Sequence, residues 1–201
     1  MPEMYDPRNL TRGIDAAIAA TTDPRHLAIL RNYRRHAILE VTGNWQRILT
    51  PEMTVAHPHY RITERGQTLV LDGIEAVSGF YAMIAESGLA PLFGPIAERF
   101  MVSDWGVSTH GLWGHQLPGP IAAEHGIEVD DPEAFYYLTH WNATVWLYDE
   151  DCKLLGEHIF EDTGSRQSWK MDPADVLSLE EAYARVQPYL DEELASTGQT
   201  R

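Results

Sequence analysis

The sequence has little cysteine and few basic residues, and it has no long apolar run. Its 201 residues include one cysteine, Cys152, so an internal disulfide and a cysteine-rich zinc module are both excluded. Lysine and arginine number 15 against 30 acidic residues, and the formal charge is -15. Nucleic acids and anionic membrane surfaces attract clustered basic side chains, so we expect neither as a partner. No apolar run approaches the roughly 18 residues that a membrane-spanning helix needs.

Two more patterns are missing, and both narrow the class of protein. The N-terminal segment lacks the charged and then apolar pattern of a signal peptide, which favours a cytoplasmic protein. No glycine-rich phosphate loop precedes a predicted helix, and we expect no cofactor. The composition that remains is ordinary for a globular protein, 44% hydrophobic with six tryptophans and nine tyrosines. Such aromatic side chains often line small-molecule pockets.

Helices are predicted in the first part of the chain. The segment TTDPRHL carries capping residues and a proline, so it predicts the start of a helix that ends at Gly43. A short second helix is predicted over NWQRIL, and a third over 73–87. The segment MTVAHPHYRI between them predicts a strand, although Pro58 restricts that strand to an edge or a bulge.

Strands dominate the remainder of the chain. One hairpin is predicted about a turn at 104–106, and a second about the turn DEDCK. A long connection over 116–134 separates them, and SLEEAYARVQPYL predicts a terminal helix. Helices followed by antiparallel strands predict an α+β protein. We predict three parts, which are an N-terminal arm over 1–22, expected to be loosely structured over 1–21, an α+β domain over 23–165 and a C-terminal helical extension over 166–201.

Four segments follow one another in an order that is typical of a known family: YRRHAILEVTGNWQRILTPEMTVAHPHY, LDGIEAVSGFYAMI, ERFMVSDWGVSTHGLWGH and ATVWLYDEDCKLLGEHIFED. This order resembles the SnoaL-like family of the nuclear-transport-factor-2-like superfamily, whose members include dehydratases, isomerases and polyketide cyclases. The resemblance implies a cone-shaped, curved antiparallel sheet packed against N-terminal helices, with a pocket inside the cone. It also implies proton transfer by side chains without a cofactor, and pairing into a homodimer. The long connection and the C-terminal tail depart from the minimal pattern of the family.

The nine histidines are the main candidates for acid–base chemistry, because imidazole titrates near neutral pH. We predict three catalytic residues. His57 falls where the resemblance places a polar pocket group on the first strand, and His140 lies on a strand whose polar positions suggest a pocket lining. Glu40 lies near the end of the first helix, where related hydrolyases carry an acid that pairs with a pocket histidine. A carboxylate in that position orients the imidazole and stabilises its cationic form.

Strand alternation adds a predicted substrate-binding set. His57 and His59 are two residues apart and share a face in a regular strand, and Tyr60 takes over if the register shifts by one. Asn142 shares the face of His140. The full predicted set is Tyr33, His59, Tyr60, Asn142 and His158. His110 and His115 are five apart, so at most one of them is expected to face the pocket.

The leading hypothesis is a cofactor-independent lyase or isomerase that acts on a hydrophobic, oxygenated small molecule. One alternative is a binding or assembly module of the same fold, used without chemistry. Another is a metal-dependent enzyme in which His57, His59 and His140 bind zinc or iron. The sequence contains no His-Glu-x-x-His motif.

Overall fold

The fold is described from a computed structural model, which describes residues 3–198. Within this range the helices and strands follow one another as α1 (Arg12–Ala20), α2 (Pro24–Val41), β1 (His59–Glu64), β2 (Gln67–Asp72), α3 (Ile74–Ser87), β3 (Phe93–Ser103), β4 (Gly106–Pro118), α4 (Gly119–Glu124), β5 (Phe135–Tyr148), β6 (Leu154–Lys170) and α5 (Leu179–Ser196). Helices therefore precede most of the strands, and the α+β class is confirmed.

The six strands form one sheet in the order β2-β1-β6-β5-β4-β3. Four of the five strand pairs are antiparallel, as predicted. The exception is β1, which pairs with β6 in parallel. The sheet is thus mixed rather than purely antiparallel. The β1–β2 hairpin joins the sheet through β1, and β1 runs in the same direction as its neighbour β6.

The predicted start of α2 is confirmed by its cap. The Asp23 carboxylate accepts hydrogen bonds from the backbone N–H groups of Arg25 and His26, and Pro24 takes the first helical position. The helix buries an apolar stripe completely, with Ile29, Leu30, Ile38 and Leu39 all 0% exposed. This stripe packs on the sheet and forms the centre of the main core.

Helix α3 and the β3–β4 hairpin also match their predictions. Helix α3 follows Gly73 and ends at Gly88, whose φ of 66° places it in the left-handed region that glycine adopts without strain. Strands β3 and β4 meet at a turn over 104–105. The predicted terminal helix is confirmed as α5 and is longer than the segment that predicted it.

Three local predictions are wrong. The predicted N-terminal arm contains α1, whose Ile14 is 3% exposed and lies in the main core. No side chain caps its first turn, so its stability depends on tertiary packing that the local sequence does not reveal. The predicted helix over NWQRIL is only a single 3-10 turn, Trp45–Arg47. The predicted strand over MTVAHPHYRI begins only at His59, because Pro58 has no N–H to contribute to a ladder.

The division into three parts stays a prediction. Strand β6 crosses its boundary at 165–166, and residues 1–2 and 199–201 of the two outer parts lie outside the described residues. None of the helices within 3–198 is long and apolar enough to span a membrane.

The two faces of the sheet have different surroundings. We call the helix-covered side the inner face and the other side the outer face. On β5 the inner face carries the buried His140, Asn142, Thr144 and Trp146, whereas Trp141 on the outer face is 39% exposed. Helix α2 covers the inner face near Trp146, and the segment that contains α4 covers it near Leu138. A polar residue on the inner face is therefore enclosed between layers.

Candidate functional site

The ladder between β4 and β5 brings the polar inner-face residues into rows. Thr109 pairs with Thr144, Gly111 pairs with Asn142, and Trp113 pairs with His140. The prediction that His140, Asn142 and Thr144 share one face is confirmed by this regular register.

Under α2 and α3, four side chains form a hydrogen-bonded group that we call the closed network: His36, Tyr60, Tyr81 and Glu157. The Tyr81 hydroxyl donates to Glu157 Oε1 at 2.9 Å and lies 2.7 Å from His36 Nε2. Tyr60 and Tyr81 are joined through their hydroxyls at 3.3 Å, and His36 Nε2 lies 3.3 Å from Glu157 Oε1. All four residues are at most 4% exposed. Two helices and two strands are thereby tied together by polar contacts inside the core.

Burial dominates the electrostatics of the closed network. It raises the pKa of Glu157 to about 7, against the lowering effect of nearby His36 and of the Tyr81 hydroxyl. Burial also raises the pKa of Tyr81 and of Tyr60 well above the usual value. Glu40 lies at the rim, with its Oε2 3.5 Å from His36 Nε2 and its side chain 30% exposed. The predicted pairing of Glu40 with a histidine is found, but the histidine is His36.

A second carboxyl group, that of the part-buried Glu98, lies on the inner face of β3. It accepts a hydrogen bond from the Tyr33 hydroxyl at 3.2 Å and another from Thr109. Burial raises the pKa of Glu98 to about 7, although both hydrogen bonds oppose the shift. A carboxyl group with this pKa can accept and release a proton near neutral pH.

Near Glu98, three polar side chains have a buried atom without a hydrogen-bond partner in the described part of the chain: Trp113 Nε1, His140 Nδ1 and Asn142 Oδ1. We call these three residues the open set. His115 Nε2 is a fourth such atom on the same face, and the His115 ring centre lies 5.6 Å from that of His140. His140 is 3% and Asn142 is 4% exposed. Burial lowers the pKa of His140, against the raising effect of the nearby Glu161 carboxylate.

The open set lies close to Gly111, which occupies the same face. Gly111 pairs with Glu98 on one side and with Asn142 on the other. A Cβ built on Gly111 would lie 3.1 Å from Trp113 Nε1 and 2.8 Å from the carbonyl oxygen of Ala97. The glycine therefore keeps the indole N–H and the neighbouring amide close to the backbone of the sheet.

Two arginines fasten the α4 segment over this end of the inner face. Arg65 donates to the Glu124 carbonyl at 2.7 Å, and Arg166 donates to the His125 carbonyl at 2.7 Å. Arg166 also forms an ion pair with Glu161, whose Oε1 lies 3.7 Å from His140 Nδ1. The predicted long connection is therefore an ordered cover of the site.

The structure separates the predicted site residues by face. Tyr33, Tyr60, His140 and Asn142 all lie on or against the inner face, and Glu40 reaches its rim. His57 precedes β1, is 71% exposed at its side chain and pairs with Asp72 at 3.0 Å. The other two lie on the outer face: His59, which contacts the same Asp72, and His158, whose ring centre is 6.5 Å from that of His59. Strand β1 begins at His59, and Tyr60 is the residue whose side chain points to the inner face. This is the alternative in which the register of the strand is shifted by one residue.

Sequence reasoning missed His36, Tyr81, Glu98 and Glu157. His36 lies three residues after Tyr33 and four before Glu40, so helical spacing could have placed all three on one face. Glu157 shares a strand face with Ile159, and Glu98 shares one with Phe100. A carboxylate that alternates with apolar side chains was the available signal.

The histidines proposed as metal ligands do not meet. His140 is buried on the inner face, whereas His57 and His59 are exposed beside Asp72. Across residues 3–198 no group of three or more His, Cys, Asp or Glu side chains is arranged to hold a metal ion.

The helix order, the mixed sheet and the enclosed inner face are consistent with the nuclear-transport-factor-2-like cone fold. The solved structure of a protein described as a SnoaL-like polyketide cyclase, from Jannaschia sp. CCS1, matches with a TM-score of 0.50 and 15% identity. The match covers 71% of this chain and 90% of that one. The resemblance to SnoaL-like proteins is confirmed as a likeness of fold.

Two further solved structures match more weakly. The epoxide hydrolase/cyclase-like enzyme SalBIII, of pyran ring formation in the polyether salinomycin, has a TM-score of 0.45 at 10% identity and covers 70% of this chain and 93% of its own. A phenazine biosynthesis-related protein from Pseudomonas aeruginosa has a TM-score of 0.37 at 13% identity, covering 82% of this chain and 85% of its own. No protein-family model and no curated protein matches the sequence.

Proposed function

We propose that the chain is a cofactor-independent lyase or isomerase that moves a proton on an oxygenated small molecule, with Glu98 as the acid–base group. The observation that carries the proposal is the Glu98 carboxyl itself. It is part-buried on the inner face, its pKa is about 7, and it lies beside polar atoms that have no hydrogen-bond partner in residues 3–198. Perturbed carboxyl groups of this kind are concentrated at functional sites.

In the proposed reaction the Glu98 carboxylate removes a proton from a carbon next to a carbonyl group. The electron pair of that C–H bond moves to the carbonyl oxygen and forms an enolate. In an isomerase the substrate carries a β,γ-double bond, so the enolate is conjugated and the protonated Glu98 returns the proton to the γ-carbon. In a lyase the enolate re-forms the carbonyl group and expels a β-hydroxyl group, which takes the proton from Glu98 and leaves as water. Tyr33 and Thr109 hold the carboxyl group in place, and His140 remains the predicted second proton-transfer group.

Proton exchange tests this proposal before the natural substrate is known. The protein is incubated in deuterium oxide with a panel of neutral cyclic ketones and β-hydroxy ketones, and exchange at the carbon next to the carbonyl is followed by NMR. Glu98→Gln is expected to slow the exchange by about two to four orders of magnitude, which is the usual contribution of a general base. In the wild-type protein the rate should rise as the pH passes about 7, because the carboxylate is the active form.

The matched control is Asp162→Asn, which changes an exposed carboxylate on the outer face. It should exchange at the wild-type rate. An equal rate in Glu98→Gln and in the wild-type protein would contradict the assignment of Glu98. Binding of the ketones without any exchange would favour the alternative of a binding module.

We also propose that two copies of the chain pair through the outer face. Trp141 and Phe160, which are 39% and 45% exposed, line one shallow depression there, and Met101 elsewhere on this face is 61% exposed. Exposed apolar side chains of this kind often mark a protein–protein interface. Phe160→Lys should convert a dimer into a monomer in sedimentation equilibrium. A wild-type protein that sediments as a monomer would contradict this pairing.

A further inference from the structure

Two of the unpartnered atoms of the open set make opposite demands on a ligand. An indole N–H can only donate a hydrogen bond, so Trp113 Nε1 needs an acceptor. Asn142 Oδ1 can only accept, so it needs a donor. A buried polar atom without a partner costs free energy, and a ligand that supplies the partner recovers that cost on binding.

The two atoms lie near the same position on the sheet. Trp113 Nε1 would be 3.1 Å from a Cβ on Gly111, and Gly111 is the ladder partner of Asn142. His140 is the ladder partner of Trp113, and its Nδ1 has no hydrogen-bond partner within 3.5 Å in the described chain, although it lies 3.7 Å from Glu161 Oε1 and its ring interacts with Asn142. Three strand positions therefore direct polar atoms to one small region of the inner face.

Charge complementarity excludes ionic ligands here. A carboxylate has no donor for Asn142 and would lie near the acidic side chains of Glu98 and Glu161. An ammonium group has no acceptor for the indole N–H of Trp113. The nearby cation of Arg166 is already engaged by Glu161 and by the His125 carbonyl.

We propose that Trp113, Asn142 and His140 form a binding subsite for an uncharged hydroxyl group of the substrate. A hydroxyl accepts from the indole N–H and donates to the amide oxygen at the same time, and no charged group does both. This subsite would make hydroxyl-bearing compounds the substrates of the reaction proposed for Glu98, and the inference rests on that proposed function. It would place a hydroxyl-bearing carbon beside the Glu98 carboxyl.

The test uses the indole N–H resonance of Trp113 in proton–nitrogen correlation spectra, assigned with Trp113→Phe. The full-length protein is titrated separately with cyclohexanol, methylcyclohexane, cyclohexylamine and cyclohexanecarboxylate. Cyclohexanol is expected to shift the Trp113 resonance in a saturable manner, and the other three are not. The exposed Trp105 serves as the internal control for nonspecific effects.

Variants separate this subsite from the proposed chemistry. Asn142→Leu, which has nearly the same side-chain volume, should weaken cyclohexanol binding about tenfold or more, as expected for one lost hydrogen bond to a buried group. Trp113→Phe should weaken it similarly by calorimetry, and this second variant covers the case in which Asn142→Leu does not fold. Trp141→Phe, one residue away on the outer face, should bind as the wild-type protein does.

The two proposals fail in different ways. Absence of a Trp113 shift with cyclohexanol, equal shifts with the charged probes, or unchanged binding in both subsite variants would overturn the hydroxyl subsite. Glu98→Gln should retain cyclohexanol binding within about twofold while losing proton exchange. Retained exchange in Glu98→Gln together with weakened binding in Asn142→Leu would instead overturn the role of Glu98 and leave the subsite standing.

Discussion

The closed network and the open set lie on the same inner face, and both are built from buried polar side chains. In the closed network the carboxyl of Glu157 contacts His36 and Tyr81, and only His36 Nδ1 lacks a partner in residues 3–198. In the open set each of the three side chains has an unpartnered buried atom. Polar atoms that satisfy one another hold elements together, whereas polar atoms that lack partners are suited to a ligand. We therefore assign a role in stability to the closed network and a role in ligand binding to the open set.

The largest effect is expected from breaking the closed network. Glu157→Ala removes the carboxyl that Tyr81 and His36 contact, and both are left buried without it. Each buried group left without its polar partner costs about 1–3 kcal/mol and Glu157→Ala leaves two, so the free energy of unfolding should fall by about 2–6 kcal/mol in urea titrations. A loss below about 1 kcal/mol would contradict the structural role of the network.

The pH dependence of stability gives a second test, with Glu98 as the probe. Its pKa is raised from 4.5 to about 7, so its contribution to stability is fully present below pH 4.5 and is lost as the pH rises through about 7. Glu98→Gln lacks this loss. The variant should gain about 3 kcal/mol relative to the wild-type protein between these two pH values.

That gain is measured as the difference between two unfolding curves taken at each pH. Glu75→Gln, which changes an exposed carboxyl in the first turn of α3, is measured in parallel as the control for the loss of a surface carboxyl. A constant difference between wild type and Glu98→Gln across the range would show that the Glu98 pKa is not raised by folding.

A smaller effect is expected from a single hydroxyl group of the closed network. Tyr81→Phe removes the group that links His36, Tyr60 and Glu157 and leaves the ring in place. The free energy of unfolding should fall by about 1–3 kcal/mol, the cost of unsatisfied buried partners. Thermal unfolding of Tyr183→Phe, a tyrosine hydroxyl outside the network, provides the comparison.

The smallest effect on stability is expected in the open set, and it sharpens the comparison most. Asn142→Leu replaces an amide whose oxygen has no partner in the described chain with an apolar group of similar size. Such a change is close to neutral or stabilising, so the free energy of unfolding should change by less than about 1 kcal/mol or increase. A large destabilisation would mean that Asn142 belongs to the structural polar groups, like Glu157.

Much of the site could be predicted from strand alternation. The shared face of His140 and Asn142 follows from a period of two, and so do the opposite faces of His110 and His115. His57 and His59 were placed wrongly because Pro58 delays the start of β1, and a shift of one residue exchanges the two faces of a strand. The sequence shows which residues of a strand share a face. It does not show at which residue the strand begins or which of the two faces is enclosed, because both depend on the neighbouring strands.

The sequence by itself determined the class of fold, the cap of α2, the two hairpins and which residues share a face, because these depend on local propensity and spacing. Only the tertiary structure decided which face is enclosed and which polar groups meet. Tyr81 joins His36 and Glu157, which are 45 and 76 residues away from it along the chain, and no local pattern records that contact. The raised pKa values of Glu98 and Glu157 likewise arise from burial, and burial exists only once the helices have packed against the sheet.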